Sequence, residues 1–314
     1  MSKTPLEQSI CRTLAYFDLA DYPLTKEELY AYLWQPPAIG YLDFLTYLSS
    51  VSEEIIQSKY GYYFLPGRGE LAEVRRRRLI FSEENLKIAR KAAGKIRSAP
   101  FVRAVFVCNK VASEQATTDS DVDFLIITEK NRIWLARFFV TLVLALFRLR
   151  RTDSRIQDKI CLSFYLATDN LNLAPWRVAE DDIHFAYWLN QMYPVYDPEN
   201  YYSRFLEANA WTGKYLPNID RRYRTAFSNQ VKNTRAGSLW KKAWEKMWQG
   251  AYGKVMDNQA RQMQLAKMKM SGKDVERKGD KGVVIADNIL KFHEKDTREE
   301  YRNKWLQKVL MLGI

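Results

Sequence analysis

The sequence predicts a protein of the mixed α+β class, in which a short mixed sheet with helices lies between two largely helical parts. Apolar residues recur with helical spacing through the first fifty residues. Three apolar, β-branched segments then alternate with helical segments: 102–108, 122–128 and 160–167. From residue 181 onward the pattern is again helical. These changes divide the chain into three predicted parts: 1–68, 69–180 and 181–314.

The first part is predicted to form three short helices followed by a β-hairpin. Residues 6–19 carry one apolar helical face, and Thr25 with Glu28 has the spacing of a capping box at the start of a second helix. Residues 40–50 predict the third helix and 55–65 the hairpin, an order typical of a winged helix. The third helix has no Arg or Lys, and residues 1–67 hold four basic against eight acidic residues. We therefore expect packing or protein interaction, and not sequence-specific DNA binding.

A long charged helix over 70–97 leads into the middle part. It contains the run from Arg75 to Arg78, which predicts a solvated face or, less simply, an anion site. Residues 133–149, between the second and third strands, predict an apolar helix. Its apolar run is fifteen residues, interrupted by Arg137, and spanning a bilayer takes about 20. A buried helix is favoured; a membrane-surface helix is the alternative, because Arg148, Arg150 and Arg151 follow.

Composition limits the possible chemistry. The 314-residue chain has a formal charge of +12, three cysteines and two histidines. An odd number of widely spaced cysteines excludes a disulfide framework and a cysteine-based zinc site, and two distant histidines argue against a histidine-rich metal site. Any metal should therefore have oxygen ligands. No secretory signal is visible, and we expect a cytoplasmic protein without a transmembrane segment.

The last part predicts helices with two compositional features. Residues 182–211 are rich in aromatic side chains, which favours core packing over base stacking. Residues 231–281 hold thirteen basic and five acidic residues, so RNA is a possible polyanionic partner of this segment. Residues 259–281 have little apolar periodicity and predict a mobile connector. Residues 287–311 predict a final helix that docks on the core.

The chemistry-bearing motif is a pair of carboxylates. Asp121 and Asp123 lie at the head of the second buried strand. Alternate side chains of a strand share a face, so the two carboxylates should project together. Their repulsion and desolvation call for a cation between them, and Mg²⁺ or Mn²⁺ takes oxygen ligands and bridges to phosphates. This pattern predicts metal-dependent chemistry on a nucleotide.

This arrangement resembles the DNA polymerase beta-type nucleotidyltransferase superfamily, with its strand, Gly-Ser turn, helix and Asp-x-Asp on the next strand. Most of the chain also resembles a group of bacterial nucleotidyltransferase-domain proteins with a winged-helix-like N-terminus and a helical C-terminal half. The stretches that carry this second resemblance are 14–25, 61–67, 119–128, 158–166, 205–209 and 292–298. The resemblance implies transfer of a nucleoside monophosphate from an NTP to a hydroxyl or phosphate acceptor.

The motif of the nucleotidyltransferase superfamily is incomplete in this sequence. Asp121 and Asp123 match the Asp pair as metal ligands and catalytic residues, but Asn109 and Lys110 stand where the family has Gly-Ser. Asn tolerates left-handed backbone geometry, and Lys can contact phosphate as a point charge.

Two further positions complete the expected site. Ser113 offers a hydroxyl for the triphosphate. At the third carboxylate position strand alternation offers Ser163, and Asp158 is the nearest substitute as a metal ligand. The sequence thus predicts either a nucleotidyltransferase or a degenerate member that binds nucleotides or proteins without catalysis.

Overall fold

The computed structural model of this chain describes residues 3–152, 156–220, 230–270, 283–292 and 296–314. Its architecture is mixed α/β, which confirms the predicted class. Two sheets organise it, a three-stranded antiparallel sheet near the N-terminus and a six-stranded mixed sheet. The larger sheet positions the carboxylates.

The N-terminal elements agree with the predicted order, with one additional strand. They are α1 (Pro5–Asp18), β1 (Leu24–Thr25), α2 (Lys26–Ala31), α3 (Tyr41–Leu48), β2 (Gln57–Lys59) and β3 (Tyr62–Phe64). Helix α2 begins at the predicted capping box: the Thr25 hydroxyl accepts from Glu28 N–H, and the Glu28 carboxylate accepts from Thr25 N–H. Thr4 and Glu7 cap α1 in the same way. The short strand β1 joins the hairpin in the order β1-β3-β2.

The three predicted strands of the middle part are confirmed with their predicted bounds. The elements are α4 (Leu71–Ile96), β4 (Val102–Cys108), α5 (Asn109–Ala112), β5 (Val122–Thr128), α6 (Ile133–Leu146) and β6 (Ile160–Ala167). Strand β4 is antiparallel to β5, and β5 is parallel to β6. The strands form because their β-branched and aromatic side chains are buried on both faces of the sheet.

The C-terminal part is not wholly helical as predicted. Its helices are α7 (Ile183–Gln191), α8 (Tyr201–Ala208), α9 (Arg235–Met247), α10 (Gly250–Met270) and α11 (Arg298–Met311), and its strands are β7 (Tyr193–Tyr196), β8 (Val283–Ile285) and β9 (Ile289–Phe292). The three strands complete the large sheet in the order β7-β4-β5-β6-β9-β8. The predicted helix 287–311 is wrong in its first part, because Ile289 and Leu290 pair with β6 and are buried.

The predicted mobile connector is also wrong over 259–270, which belongs to α10. This stretch is helical because α10 packs along α6: the Asp257 carboxylate accepts from Leu135 N–H at 2.8 Å, and the Gln264 amide donates to the Trp134 carbonyl at 2.9 Å. The rest of the predicted connector, 271–281, lies outside the described residues.

The core has three apolar clusters. One lies between the large sheet and helices α4, α6 and α10. A second lies on the opposite face of the sheet, against α7 and α8. The third combines the N-terminal elements with side chains of α7 and α11, including Tyr187 and Trp305. This third cluster extends across the predicted boundary at residue 68.

Arg75 departs from the predicted solvated face of α4. Its side chain is 4% exposed and contacts the Glu28 carboxylate at 2.9 Å and the Glu114 carboxylate at 2.6 Å. Its guanidinium lies 3.7 Å from the centre of the Tyr22 ring. Arg78 donates to the Ala20 carbonyl. A buried cation is stable here because carboxylates and an aromatic face surround it, and Arg75 thereby joins the N-terminal elements to the turn after α5.

Candidate functional site

The two carboxylates lie where three strands of the large sheet meet. Strand β4 ends and β5 and β6 begin at the same edge of the sheet, because β4 is antiparallel to β5 and β5 is parallel to β6. Asp121 directly precedes β5 and Asp123 is its second residue. Leu125 and Ile127, which alternate with them along β5, are buried against α7 and α8. The predicted shared face of the carboxylates is therefore the face that carries those helices.

Cys161 completes a group of three potential ligands. It lies opposite Asp123 in the strand pairing, and one ligand atom from each of Asp121, Asp123 and Cys161 lies within 4.8 Å of the others. Within the described ranges, these three residues form the one group of acidic, Cys or His side chains that lie close enough together to hold a metal. Cys161 was not predicted as part of the site.

The electrostatics of Asp123 reflect its position. Burial, together with the neighbouring Asp121 charge, raises the pKa of Asp123 to about 6. Hydrogen bonds from the Asn109 amide and the Cys161 thiol oppose this rise by stabilising the ionised carboxylate. A bound cation would oppose it further, because it favours the charged form of both carboxylates.

Arg151 supplies the positive charge that the carboxylates require. Its Nη1 lies 2.5 Å from Asp121 Oδ2, and its side chain is 41% exposed. The backbone of Arg151 is held near β6, because its N–H donates to the Ile160 carbonyl at 3.0 Å. Arg151 therefore neutralises one carboxylate from a position at the edge of the site and remains accessible to solvent.

The third-carboxylate position has no carboxylate. Ser163, which strand alternation offered at this position, is buried on β6. Burial and the two Asp charges raise the pKa of Cys161 to about 12, so its thiol is protonated at neutral pH. A protonated thiol is a hydrogen-bond donor and a poor metal ligand. The described site thus offers two hard oxygen donors with a neutral thiol beside them.

Asn109 takes the backbone conformation that a glycine would favour. Its φ is +57°, in the left-handed region, and it begins α5 directly after β4. The Trp188 indole N–H on α7 donates to Asn109 Oδ1 at 2.7 Å. Its amide, which also hydrogen-bonds to Asp123, therefore lies between the indole and the carboxylate. Asn109 thus forms a tight turn and places a hydrogen-bonded side chain beside the carboxylates.

The remaining predicted residues lie less centrally. Lys110 is exposed on α5. Ser113 is buried, and its hydroxyl donates to the Asn109 carbonyl at 3.0 Å, so it stabilises the turn instead of offering its hydrogen to a phosphate. Asp158 is exposed in the loop before β6 and is not one of the three clustered ligand groups. The structure therefore does not bring Asp158 together with Asp121 and Asp123 as a third ligand.

The donor set suits a hard divalent cation. Two carboxylates are typical of Mg²⁺ or Mn²⁺ sites in which water and substrate phosphates supply the other ligands. A structural zinc site would use several thiolate or imidazole ligands, whereas this group in the described residues has one Cys and no His.

Comparison with known proteins yields no family. No family model matches the chain. No curated protein and no solved structure matches it either.

Three site residues were missed from the sequence: Arg151, Cys161 and Trp188. Simple alternation did not indicate Cys161, because the pairing of β6 with β5 shifts register between Asp123 and Leu125. Arg151 and Trp188 reach the site through tertiary packing, and no spacing in the sequence connects them to Asp121 or Asn109.

Proposed function

We propose that this protein is a Mg²⁺-dependent nucleotidyltransferase that moves a nucleoside monophosphate from an NTP to an acceptor hydroxyl or phosphate. The observation that carries the proposal is the pairing of Asp121 with Asp123 on one sheet face, beside the left-handed turn at Asn109. The sequence resemblance supports the same reaction.

The chain's own residues have distinct roles in this proposal. Asp121 and Asp123 would hold the metal with its phosphates, and the bound ion would supply charge neutralisation at the triphosphate. Arg151 is placed to exchange Asp121 for a phosphate oxygen, since Arg forms strong charge-assisted bonds with both groups. Asn109 and Trp188 bound the space beside the carboxylates. Lys110, exposed on the same turn, is available to a phosphate.

The transfer is a substitution at the α-phosphorus. The acceptor oxygen forms a bond to that phosphorus while the bond to the β-phosphate oxygen breaks, and pyrophosphate leaves. The acceptor proton passes to water. The reaction needs no redox partner, and its substrates agree with the predicted cytoplasmic location.

A second candidate function is nucleotide binding without transfer. The specific observation in its favour is the third ligand position, where Cys161 and Ser163 stand in place of a carboxylate. In this alternative the same fold serves as a nucleotide-dependent interaction module, and the winged-helix-like N-terminal elements would contact a protein partner. Their net acidic charge is consistent with a protein partner and not with DNA.

Calorimetric titration with ATP, CTP, GTP and UTP, with and without Mg²⁺, tests the common part of both candidates. We expect metal-dependent binding of at least one nucleotide. The double variant Asp121→Asn with Asp123→Asn should abolish it, whereas Asp119→Asn, at an exposed position just before the site, should bind as the wild type does. Absence of metal-dependent binding in the wild type would refute both candidates.

Incorporation of label from α-³²P-labelled nucleotides separates them. Release of pyrophosphate together with labelled product supports transfer. Metal-dependent binding without product, across a panel of nucleotide, sugar, protein and RNA acceptors, supports the binding module.

A further inference from the structure

An exposed apolar stripe runs along helix α6. Phe138, Leu142 and Leu146 recur every four residues and are 38%, 43% and 72% exposed, and Phe147 follows at 51%. The opposite side of the helix is buried in the core. The predicted buried helix therefore has one face in the core and the other exposed, and the alternative of a membrane-surface helix stays a prediction. No helix in the described part of the chain is long and apolar enough to cross a bilayer.

Helices α9 and α10 extend this apolar surface. Trp240 is 57% and Met247 52% exposed on α9, and on α10 the corresponding values are 59% for Tyr252, 66% for Met263 and 89% for Met270. Tyr252, Met263 and Met270 share one side of α10, because their spacings of eleven and seven residues are close to whole numbers of turns. Together with the α6 stripe, these residues form an amphipathic surface.

Contacts between the helices connect the parts of the amphipathic surface that lie on α9 and α6. Aromatic rings connect α9 to α6, with centroids 5.5 Å apart for Trp240 and Trp244, 6.0 Å for Trp244 and Phe139, and 5.5 Å for Phe139 and Phe138. Helix α10 packs directly on α6. The surface is thus built on packed helices and is not confined to a loop.

Positive charges predominate on the helices of this surface. Residues 231–270 contain nine Lys and Arg but two acidic residues, Glu245 and Asp257. Both carboxylates point inward: Glu245 contacts Arg103 and accepts from Phe101 N–H, and Asp257 accepts from Leu135 N–H. Residues 133–152 contain four Arg and no acidic residue. Within these two stretches the carboxylates are therefore bonded to the protein interior. The exposed Asp287 lies beside α10, where Arg261 neutralises it at 2.9 Å.

We propose that the amphipathic surface docks this protein on the face of an anionic lipid bilayer. Trp, Phe and Leu flanked by Lys and Arg are the combination that places a helix at the headgroup boundary, with apolar side chains among acyl chains and cations at anionic headgroups. The protein would bind peripherally. This proposal does not depend on nucleotidyl transfer.

The rival occupants fit the surface less well. RNA would be bound by the cations and stacked on aromatic rings, but it offers nothing to the exposed aliphatic side chains of Leu142, Leu146 and Met263. A second copy of the chain would bring two positive surfaces face to face, at an electrostatic cost. A bilayer satisfies both the aliphatic and the cationic side chains.

The docked orientation has a consequence for the carboxylate site. Arg150 and Arg151 follow Leu146 and Phe147 in the chain, and Arg151 contacts Asp121. Docking through the end of α6 would therefore bring the edge of the carboxylate site close to the lipid headgroups.

Vesicle co-sedimentation of the full chain tests the proposal. We expect binding to vesicles of equal parts phosphatidylcholine and phosphatidylglycerol, weak binding to phosphatidylcholine alone, and a decrease with added salt. The pair Lys242→Gln and Lys246→Gln should weaken binding by roughly five-fold per charge. Leu146→Ser should weaken it on the order of ten-fold. Leu310→Ser is the matched control, because Leu310 is 73% exposed on α11, and it should bind as the wild type does.

Several results would overturn the proposal. Absence of vesicle binding, equal binding to both vesicle types, or equal loss in Leu146→Ser and Leu310→Ser would each do so. Salt-sensitive binding of polyuridine RNA that Leu146→Ser leaves intact, without vesicle binding, would assign the cations to RNA. A dimer in sedimentation velocity that Leu146→Ser dissociates, again without vesicle binding, would assign the surface to a second copy. Circular dichroism of each variant checks that the fold is retained.

Discussion

Replacing Arg151 with Gln tests whether its ion pair with Asp121 competes with a bound cation. The Arg151 guanidinium lies 2.5 Å from the Asp121 carboxylate and neutralises its charge. A divalent ion that binds both Asp121 and Asp123 must displace this contact or share the carboxylate with it. Removing the charge should therefore strengthen binding of the metal alone and weaken binding of a metal-nucleotide complex, because Arg151 would no longer contact phosphate.

The magnitude follows from the exposure of the pair. Two unit charges about 4 Å apart interact by about 4 kcal/mol at an effective dielectric constant of about 20. Arg151 is 41% exposed, so the energy should be closer to that of surface pairs, about 1 kcal/mol. Since about 1.4 kcal/mol corresponds to a factor of ten, we expect Mn²⁺ to bind roughly five-fold more tightly to Arg151→Gln.

Electron paramagnetic resonance of free Mn²⁺ measures this affinity without a nucleotide. Arg150→Gln is the matched control, because it removes the same charge from the adjacent residue. Unchanged or weaker Mn²⁺ binding in Arg151→Gln would refute the competition, and an equal gain in Arg150→Gln would show that only the net charge matters. Calorimetry with Mg²⁺ and ATP then tests the predicted loss for the nucleotide complex.

Three further predictions concern stability. Arg75→Met should lower the unfolding free energy by about 2 kcal/mol, because it leaves two partly buried carboxylates without their shared cation, whereas the exposed Arg77→Met should change it by less than about 0.5 kcal/mol in urea denaturation. Burial raises the pKa of Asp257 to about 6, whereas the pKa of an aspartate in the unfolded chain is about 3.9. The wild type therefore loses stability as the pH rises from the unfolded pKa to the folded pKa. Asp257→Asn should be about 2–3 kcal/mol more stable than the wild type at pH 7 but not at pH 3.5. At Asn109, where φ is +57°, Asn109→Gly should melt above Asn109→Ala by the equivalent of about 1 kcal/mol; equal melting would contradict a strained backbone.

The central strands could be predicted because their signal is local. Residues 102–108, 122–128 and 160–167 are runs of buried β-branched and aromatic side chains, and the structure has strands with the same bounds. Strands β7 and β9 have four residues each, and they are extended because they pair with β4 and β6. Such pairing depends on tertiary contacts, so the sequence pattern alone predicted helix there.

The residues of the site likewise include some that a local sequence pattern predicts and others that it does not. The shared face of Asp121 and Asp123 follows from strand alternation, and the left-handed turn at Asn109 follows from the preference of Asn for that conformation. The contacts of Arg151 with Asp121 and of Trp188 with Asn109 connect residues thirty and seventy-nine positions apart. No local pattern encodes such distances. Arg75 was mispredicted for the same reason, since its carboxylate partners lie on other elements.

The placement of β9 beside β6 has a consequence for how the chain folds. Strand β6 ends at residue 167, yet its neighbour on one side is made from residues 289–292. During synthesis this edge of β6 therefore stays unpaired until more than a hundred further residues have been added. Long-range pairings of this kind slow folding, and an open strand edge recruits other chains. We therefore expect chains truncated before residue 283 to aggregate during refolding while the full chain recovers its native state.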